Sequence, residues 1–189
     1  LKEIFGTKSI RERTFAIQGL GKTGLPILKL LAKEAKKVIV SDVNKTLLMT
    51  VARQFPQVEI VLPSEISTQD VDVFMPCALS NAINIRNVAK LRCKIIAGSA
   101  NSQLENKSIG EILYKLGILY SPDYVINAGG LIAVTDEYEN NIYNENRVRR
   151  KVARIKKTLS SVIEGSKKEK KPTNIVADEM AEKIFNTFV

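Results

Sequence analysis

The sequence predicts an α/β fold with a mostly parallel, doubly wound sheet, and three observations carry this prediction. Short apolar, β-branched stretches alternate with longer stretches of helical periodicity, a pattern typical of parallel sheets with right-handed crossovers. A glycine-rich segment, residues 19–24, stands between the first predicted strand and the first predicted helix. An acid, Asp42, follows the second predicted strand.

The first β-α-β unit contains the glycine-rich segment. Residues 14–18 form a short apolar and β-branched run, which favours a buried strand. Residues 25–35 are predicted to form a helix that tolerates Pro26 in its first turn. Residues 38–41 are predicted to form the second strand, which ends directly before Asp42.

The rest of the chain continues this alternation and then becomes helical. Further strands are predicted at residues 58–61, 71–79 with the exit loop, 94–98 and 118–120, and helices at residues 45–55, 85–91 and 108–116. Residues 1–13 are predicted to form an entry helix and a turn near residues 6–9. Asn44 is a candidate N-cap, and Gly117 is expected to end the helix before it. Long helical patterns follow at residues 125–139, 145–164 and 173–189. Thr173 is a candidate cap, and the Lys-rich residues 165–172 are expected to form an exposed connection.

The three glycines have the spacing G-x-G-x-x-G, which is the dinucleotide fingerprint of Rossmann-type folds when a strand precedes it and a helix follows. Gly19 permits the tight turn, Gly21 lets a pyrophosphate approach the backbone, and Gly24 lets the helix pack on the strand. The amide end of the helix then faces the phosphates. The alternative is a glycine-rich turn in an α/β domain that binds no nucleotide.

Asp42 predicts which dinucleotide binds. A carboxylate at this position accepts hydrogen bonds from the hydroxyls of the adenosine ribose and repels the 2′-phosphate of NADP, so NAD is the predicted cofactor. Parallel strands end at the same edge of a sheet, where ligands bind. We therefore expect one rim made of residues 19–24, 42–44, 76–79, 98–101 and 123–130.

Composition excludes several classes of function. The 189 residues suffice for one α/β domain, and the chain has no histidine, so histidine acid–base catalysis and histidine metal sites are excluded within it, and no metal site is predicted. Cys77 and Cys93 are too few for a disulfide framework and fit a reducing cytoplasm. No apolar run is long enough to cross a membrane.

The formal net charge of +9 is concentrated in residues 147–157 and 167–171. Neither segment has interleaved aromatic residues or a recognisable nucleic-acid module. Solvated helix faces are therefore favoured over a nucleic-acid site, and no nucleic-acid partner is predicted.

Five strings on the expected rim resemble the glutamate/leucine/phenylalanine/valine dehydrogenase family, in an order and spacing most like its leucine dehydrogenases. They are GLGKTG at residues 19–24, DVN at 42–44, PCAL at 76–79, IAGSAN at 96–101 and YSPDYVINAGG at 120–130. Lys22 and Thr23 depart from this resemblance, because the family commonly has Asn and a small apolar residue there.

The resemblance implies an activity. The family oxidatively deaminates an L-amino acid, here expected to be a branched-chain one, to the 2-oxo acid and ammonia with reduction of NAD. Its members are homo-oligomers, and each subunit has two domains with the active site in the cleft between the two domains.

The same resemblance implies that this chain is the NAD-binding domain. Residues 14–139 would form that domain, after an interdomain segment at 1–13 and before completing helices at 140–189. The family's catalytic lysine follows a run of glycines that is not found in this sequence, and the chain begins at Leu1 without a methionine. We therefore expect the catalytic domain to be missing, the chain to hold no catalytic residue and to be inactive alone. Two alternatives stay open: a non-catalytic dinucleotide-binding module from a truncated gene, or another Rossmann oxidoreductase such as a shikimate dehydrogenase-like domain.

Residue by residue, the resemblance assigns positions along the cofactor and one pocket. The pyrophosphate and ribose positions are Gly19, Leu20, Gly21, Lys22, Thr23, Gly24, Leu25, Asp42 and Val43. The positions toward the nicotinamide are Cys77, Ala78, Leu79, Ala100, Asn101 and Asn127. Leu131 and Val134 match positions of the apolar substrate pocket, although their spacing of three is equally consistent with a core-facing helix.

Overall fold

In the computed structural model, which describes residues 1–78 and 80–187, six parallel strands form one sheet. The strands are β1 (Thr14–Gln18), β2 (Lys37–Ser41), β3 (Glu59–Ile60), β4 (Val73–Pro76), β5 (Ile95–Ile96) and β6 (Leu119–Tyr120). Their order across the sheet is β3-β2-β1-β4-β5-β6. The chain therefore winds outward from β1 in one direction and then, from β4, in the other. This order confirms the Rossmann-type α/β fold that the sequence predicts.

The helices of the described residues cover both faces of this sheet. They are α1 (Lys2–Phe5), α2 (Gly24–Leu31), α3 (Lys45–Gln54), α4 (Lys107–Lys115), α5 (Asp123–Ile126), α6 (Gly129–Asn140), α7 (Glu145–Val152), α8 (Arg154–Glu169) and α9 (Thr173–Phe185). None of these helices combines the length and the apolar character that crossing a membrane requires.

The core has two halves because successive residues of a strand face opposite sides of the sheet. Ile17 of β1 packs with Leu28 of α2 and Val51 of α3 on one face. On the other face, Phe74 of β4 packs with Leu113 of α4. The central strands β1 and β2 are buried on both faces, as expected for a parallel sheet, whereas the edge strand β3 is exposed.

Two predicted caps and stops are confirmed. The Asn44 side chain accepts a hydrogen bond from the Leu47 N–H at 3.0 Å, which caps α3 as predicted. Gly117 has φ of +71°, the left-handed conformation that glycine adopts most readily, and it follows Leu116, the C-cap of α4.

Several predicted boundaries are wrong. The helix predicted at residues 25–35 ends at Leu31. The entry helix within residues 1–13 covers Lys2–Phe5, and Gly6 turns left-handed after it at φ of +70°, in agreement with the turn predicted near residues 6–9. The helix predicted at residues 85–91 is a short 3₁₀ turn at Val88–Lys90. Its asparagines explain the change, because the Asn87 side chain accepts from the Asn84 N–H at 2.9 Å and competes with helical hydrogen bonds.

The C-terminal helical patterns also differ in detail. The pattern at residues 125–139 contains two helices, α5 and α6, and the pattern at 145–164 contains α7 and most of α8. Residues 165–169, expected in an exposed connection, belong to α8, which ends where Lys170 turns left-handed at φ of +56°. Thr173 does not cap α9, because its hydroxyl donates to the Tyr120 carbonyl at 2.6 Å. The last two residues of the predicted helix 173–189 lie outside the described residues.

Candidate dinucleotide site

The expected rim exists because the central strands end together. Gln18, the last residue of β1, pairs in register with Ser41 of β2 and with Pro76 of β4. The loops that follow these strands therefore leave from one edge. The strand order reverses between β1 and β4, and parallel sheets of this kind bind ligands in the crevice at such a switch point.

Two glycines of the fingerprint are required by close backbone contacts. Gly19 has φ of +92°, and a Cβ on it would lie 2.5 Å from the Cβ of Ala78, in the loop after β4. A Cβ on Gly24 would overlap the Gly19 carbonyl oxygen. The turn is therefore folded tightly against its own strand and against the neighbouring loop, as the fingerprint predicts.

Gly21 differs, because a Cβ built on it would have no heavy atom of the described protein within 4 Å. Packing inside the chain gives no reason for glycine at this position. The space over the Gly21 backbone is open, which is what the approach of a pyrophosphate requires. Lys22 and Thr23 beside it are exposed, whereas Leu20 is 1% exposed and anchors the turn in the core.

Helix α2 starts directly behind this open space. The Leu25 N–H donates to the Gly21 carbonyl at 3.2 Å, so regular helical hydrogen bonding begins there. The first amides of a helix have no acceptor within the helix, and they carry the positive end of its dipole. This end of α2 can therefore bind an anion at Gly21.

The Asp42 carboxylate is held by two backbone amides. Its Oδ2 accepts from the Leu20 N–H at 2.7 Å, and its Oδ1 accepts from the Asn44 N–H at 2.8 Å. The side chain thus ties the glycine turn to the end of β2 and is fixed beside it. Each carboxylate oxygen keeps further acceptor capacity, which a ribose hydroxyl can use. The Val43 side chain next to it is 84% exposed.

The loops after β4 and β5 pack on each other. The Cys77 N–H donates to the Gln18 carbonyl at 2.8 Å, and the Ala100 N–H donates to the Pro76 carbonyl at 3.0 Å. A Cβ on Gly98 would overlap the Pro76 carbonyl oxygen. Cys77 is half-buried, Ala78 is exposed and Ala100 is buried. Leu79 lies outside the described residues.

Asn101 and Asn127 meet at the far end of the rim. The Asn127 amide nitrogen donates to Asn101 Oδ1 at 2.6 Å and to the Ala100 carbonyl at 3.4 Å. Both side chains border a cavity of about 390 Å³. The structure therefore brings these two amides together, although they lie far apart in the sequence. A second cavity, of about 370 Å³, lies against α4, α8 and α9 and does not touch the glycine turn.

The carboxylate of Asp123 has a structural partner. The Tyr120 hydroxyl donates to Asp123 Oδ1 at 2.7 Å, and both residues are buried. Burial and the nearby carboxylate raise the pKa of the Tyr120 phenol well above its usual range. Tyr120 therefore stays neutral and holds the loop that leads into α5, as expected of a loop-forming Asp123.

Leu131 and Val134 are not core residues. They lie on α6, and their side chains are 72% and 65% exposed. The alternative of a core-facing helix is therefore wrong for the described chain. Two solvent-exposed apolar side chains therefore lie on the same helix, a few residues after Asn127 in the sequence.

Two polar residues that shape the site have no sequence signal of their own. Gln103 is fully buried, and its amide nitrogen donates to the carbonyls of Gly98 at 2.8 Å and Ala100 at 3.0 Å. Ser99 lies with its hydroxyl 2.6 Å from that of Thr23. Both belong to a loop that sequence analysis recognises, but their contacts depend on the packing of distant elements.

The fold, the fingerprint turn at the switch point and the acid at the end of β2 define a Rossmann-type domain of the dinucleotide-binding class. Comparison with known proteins makes this assignment more specific. Residues 44–184 match the Glutamate/Leucine/Phenylalanine/Valine dehydrogenase family, and the chain belongs to that family.

The chain resembles several enzymes of that family over most of its length. It is 40% identical over 181 residues to leucine dehydrogenase from Bacillus cereus, covering 96% of this chain and 49% of the relative. It is 38% identical over 186 residues to leucine dehydrogenase from Geobacillus stearothermophilus, covering 98% of this chain and 50% of the relative. The crystal structure of L-tryptophan dehydrogenase from Nostoc punctiforme superposes with a TM-score of 0.92 at 39% identity, covering 98% of this chain and 56% of that one. The chain therefore spans about half the length of the curated relatives that it matches.

Proposed function

We propose that this chain is the NAD-binding domain of an amino-acid dehydrogenase that resembles leucine dehydrogenase. The complete enzyme would oxidatively deaminate a branched-chain L-amino acid to its 2-oxo acid. The observation that carries the proposal is the fingerprint turn at the switch point, where the open Gly21 lies before the amide end of α2. Identities of 38–41% to leucine dehydrogenases support an amino-acid dehydrogenase of this kind.

The pyrophosphate of NAD would bind along residues 19–25. Gly19 and Gly24 would keep the turn tight, and Gly21 would leave room for the phosphates. The amides at the start of α2 would donate hydrogen bonds, and Lys22 is exposed beside them with a positive charge. The proposed positions in this segment are Gly19, Leu20, Gly21, Lys22, Thr23, Gly24 and Leu25.

Asp42 would select NAD over NADP. Its carboxylate is held next to the turn by the Leu20 and Asn44 amides, so it is not free to swing away from a 2′-phosphate. Two negative groups at that separation repel each other. Lys45, at the start of α3, acts in the opposite direction and reduces the preference.

The nicotinamide half would extend toward Asn127. Cys77 and Ala78, together with Leu79, would line the route, and Ala100, Asn101 and Asn127 would surround the end of the cofactor. The Asn101 and Asn127 amides are hydrogen-bonded to each other and border a cavity, so a carboxamide has donors and acceptors there. NAD, when bound, would supply the hydride acceptor of the reaction.

Leu131 and Val134 would form part of the substrate pocket. Both side chains are exposed, they follow Asn127 closely in the sequence, and apolar side chains suit a branched-chain substrate. We place the cofactor domain at residues 14–139, the interdomain segment at 1–13 and the completing helices at 140–189. The free thiols of Cys77 and Cys93 favour a cytoplasmic enzyme, and the family resemblance favours a homo-oligomer.

Titration calorimetry on the purified 189-residue chain tests the proposal. We expect NAD to bind with one site per chain and NADP to bind more weakly. Equal or tighter binding of NADP would overturn the assignment of Asp42. Absence of binding of both dinucleotides would overturn the proposed cofactor site.

A further inference from the structure

Thr23 and Ser99 connect two loops that belong to different halves of the fold. Their hydroxyl oxygens lie 2.6 Å apart, and either can donate the hydrogen bond. Thr23 occupies the N-cap position of α2, but its side chain makes no capping hydrogen bond to that helix. Its hydroxyl instead reaches the loop after β5, 76 residues further along the chain.

Ser99 lies in a loop whose residues on either side of it are held by hydrogen bonds. Gln103 binds the carbonyls on either side of it, those of Gly98 and Ala100. The Ala100 N–H is bound to the Pro76 carbonyl at 3.0 Å. The Ser99 hydroxyl is therefore the group through which this loop contacts the glycine turn.

The same loop carries the amide pair at the other end of the rim. Asn127 donates to Asn101 Oδ1 at 2.6 Å and lies 3.5 Å from the Ser99 carbonyl oxygen. A series of hydrogen bonds thus runs from Thr23 through the Ser99 loop to Asn101 and Asn127. It joins the anion-binding end of α2 to the cavity that these two amides border.

We propose that the Thr23–Ser99 hydroxyl pair is a positioning element, which holds the loop that presents Asn101 to the nicotinamide half of the dinucleotide. The inference rests on the proposed NAD site. Loss of the pair leaves the loop with its Gln103 and Pro76 anchors but without its link to the glycine turn, so binding of the nicotinamide half has to restore the position of the loop. The adenosine and pyrophosphate half does not contact that loop's amides and keeps its affinity.

Two ligands separate this effect from a general one. ADP-ribose contains the adenosine and pyrophosphate of NAD and lacks the nicotinamide. In calorimetric titrations of Ser99→Ala, we expect NAD to bind roughly two- to tenfold more weakly, the range of one net hydrogen bond. ADP-ribose is expected to bind with unchanged affinity.

Variants of the partner hydroxyl complete the test. Thr23→Ser keeps the hydroxyl and is expected to retain the ratio of NAD affinity to ADP-ribose affinity. Thr23→Val removes the hydroxyl and is expected to lower this ratio, as Ser99→Ala does. The double variant Thr23→Val/Ser99→Ala is expected to lower the ratio no further than either change alone. Thr158→Val is the matched control, because the Thr158 hydroxyl is exposed and donates to the Arg154 carbonyl of its own helix.

The outcomes that refute the inference differ from those that refute the cofactor site. If Ser99→Ala weakens both ligands equally, the pair is merely structural, and if it weakens neither, the pair has no role in binding. Additive effects of the two single changes would also refute the coupling. A wild-type chain that binds neither ligand would refute the proposed NAD site itself.

Discussion

Replacement of Gly21 by valine separates the binding function of the fingerprint turn from its structural function. A Cβ at this position has no heavy atom within 4 Å, and its φ lies outside the left-handed range that favours glycine. The new side chain therefore projects into open space. We expect the unfolding free energy to change by less than about 0.5 kcal/mol, as at other exposed positions without special contacts.

The expected loss of NAD affinity follows from the same geometry. The valine side chain fills the space through which a pyrophosphate reaches the amides at the start of α2. Hydrogen bonds to an ionised group contribute about 1.5–3 kcal/mol each. Loss of two such bonds amounts to about 3 kcal/mol or more, which weakens NAD binding about 100-fold or more.

Calorimetric titration with NAD and thermal unfolding followed by circular dichroism measure the two effects on the same sample. Gly24→Ala is the contrasting variant, since its Cβ would overlap the Gly19 carbonyl oxygen and must disturb the fold. We expect Gly24→Ala to lower the melting temperature and Gly21→Val to preserve it. A Gly21→Val chain that binds NAD within threefold of wild type, or one that fails to fold, would refute this reasoning.

Four further predictions follow from other features. Asp42→Ala is expected to narrow the difference between NAD and NADP affinity and to lower the unfolding free energy by about 1–3 kcal/mol, because two backbone amides lose their acceptor. The purified chain is expected to produce no NADH from NAD and leucine, because it has no histidine and no lysine among the described residues is buried as a lysine general base requires. Addition of a separately expressed catalytic domain should restore turnover. Hydrogen bonding to Lys151 lowers the pKa of the Asp136 carboxyl in the folded chain. The ionised carboxylate therefore stabilises the fold above the unfolded pKa of about 4, and this stabilisation is lost as the pH falls through the lower folded pKa. Asp136→Asn is therefore expected to flatten the fall of melting temperature in that acid range. Burial raises the pKa of the Cys93 thiol to about 11, so we expect a maleimide at neutral pH to label the half-buried Cys77 alone, and NAD to slow that labelling.

Each of these predictions has an outcome that contradicts it. A ratio of NAD to NADP affinity that Asp42→Ala leaves unchanged removes the carboxylate from cofactor selection. Turnover by the homogeneous chain alone shows that the catalytic groups lie within it. A melting temperature that declines with acid equally in wild type and Asp136→Asn excludes the Asp136 carboxyl as the titrating group. Two rapidly labelled thiols per native chain would show that Cys93 is accessible.

Local signals were sufficient for several elements in the first half of the fold. Strand β1, the glycine turn and the Asn44 cap were predicted correctly because each depends on a few neighbouring residues: a β-branched run, glycines at fixed spacing and a side chain that bonds its own helix. The parallel arrangement of the strands also follows from the alternation of elements, but their order does not, since other doubly wound orders satisfy the same right-handed crossover rule.

Long-range packing explains the failures in the second half. The Lys-rich charges at residues 167–170 indicated an exposed connection, and they are exposed, but the backbone remains helical to Glu169. The helix continues because Ile163 and Ser166 are buried on its other side, and a Cβ on Gly165 would lie 2.8 Å from a Val176 methyl group of α9. The charges on the exposed face of α8 do not indicate that another helix, α9, packs on its opposite face.

The candidate site shows the same division. The glycine spacing and the acid indicated where a dinucleotide can bind, because each has its own chemical requirement. The Thr23–Ser99 contact and the clamp by Gln103 could not be predicted, since they join residues whose proximity is created by the sheet. The open position of Leu131 was one of two equal alternatives in the sequence, and only the packing of α6 decides between them.

The backbone contact between Gly98 and Pro76 has a consequence for how this protein can change over evolution. Side chains cannot be enlarged at Gly19, Gly24 or Gly98 without moving a neighbouring main chain, so mutational tolerance along the central rim is low. Leu131 and Val134, by contrast, project from α6 with most of their surface free, and substitutions there cost the fold little. If they line the substrate pocket as proposed, selectivity can diversify on one helix while the surface for the shared cofactor stays constant.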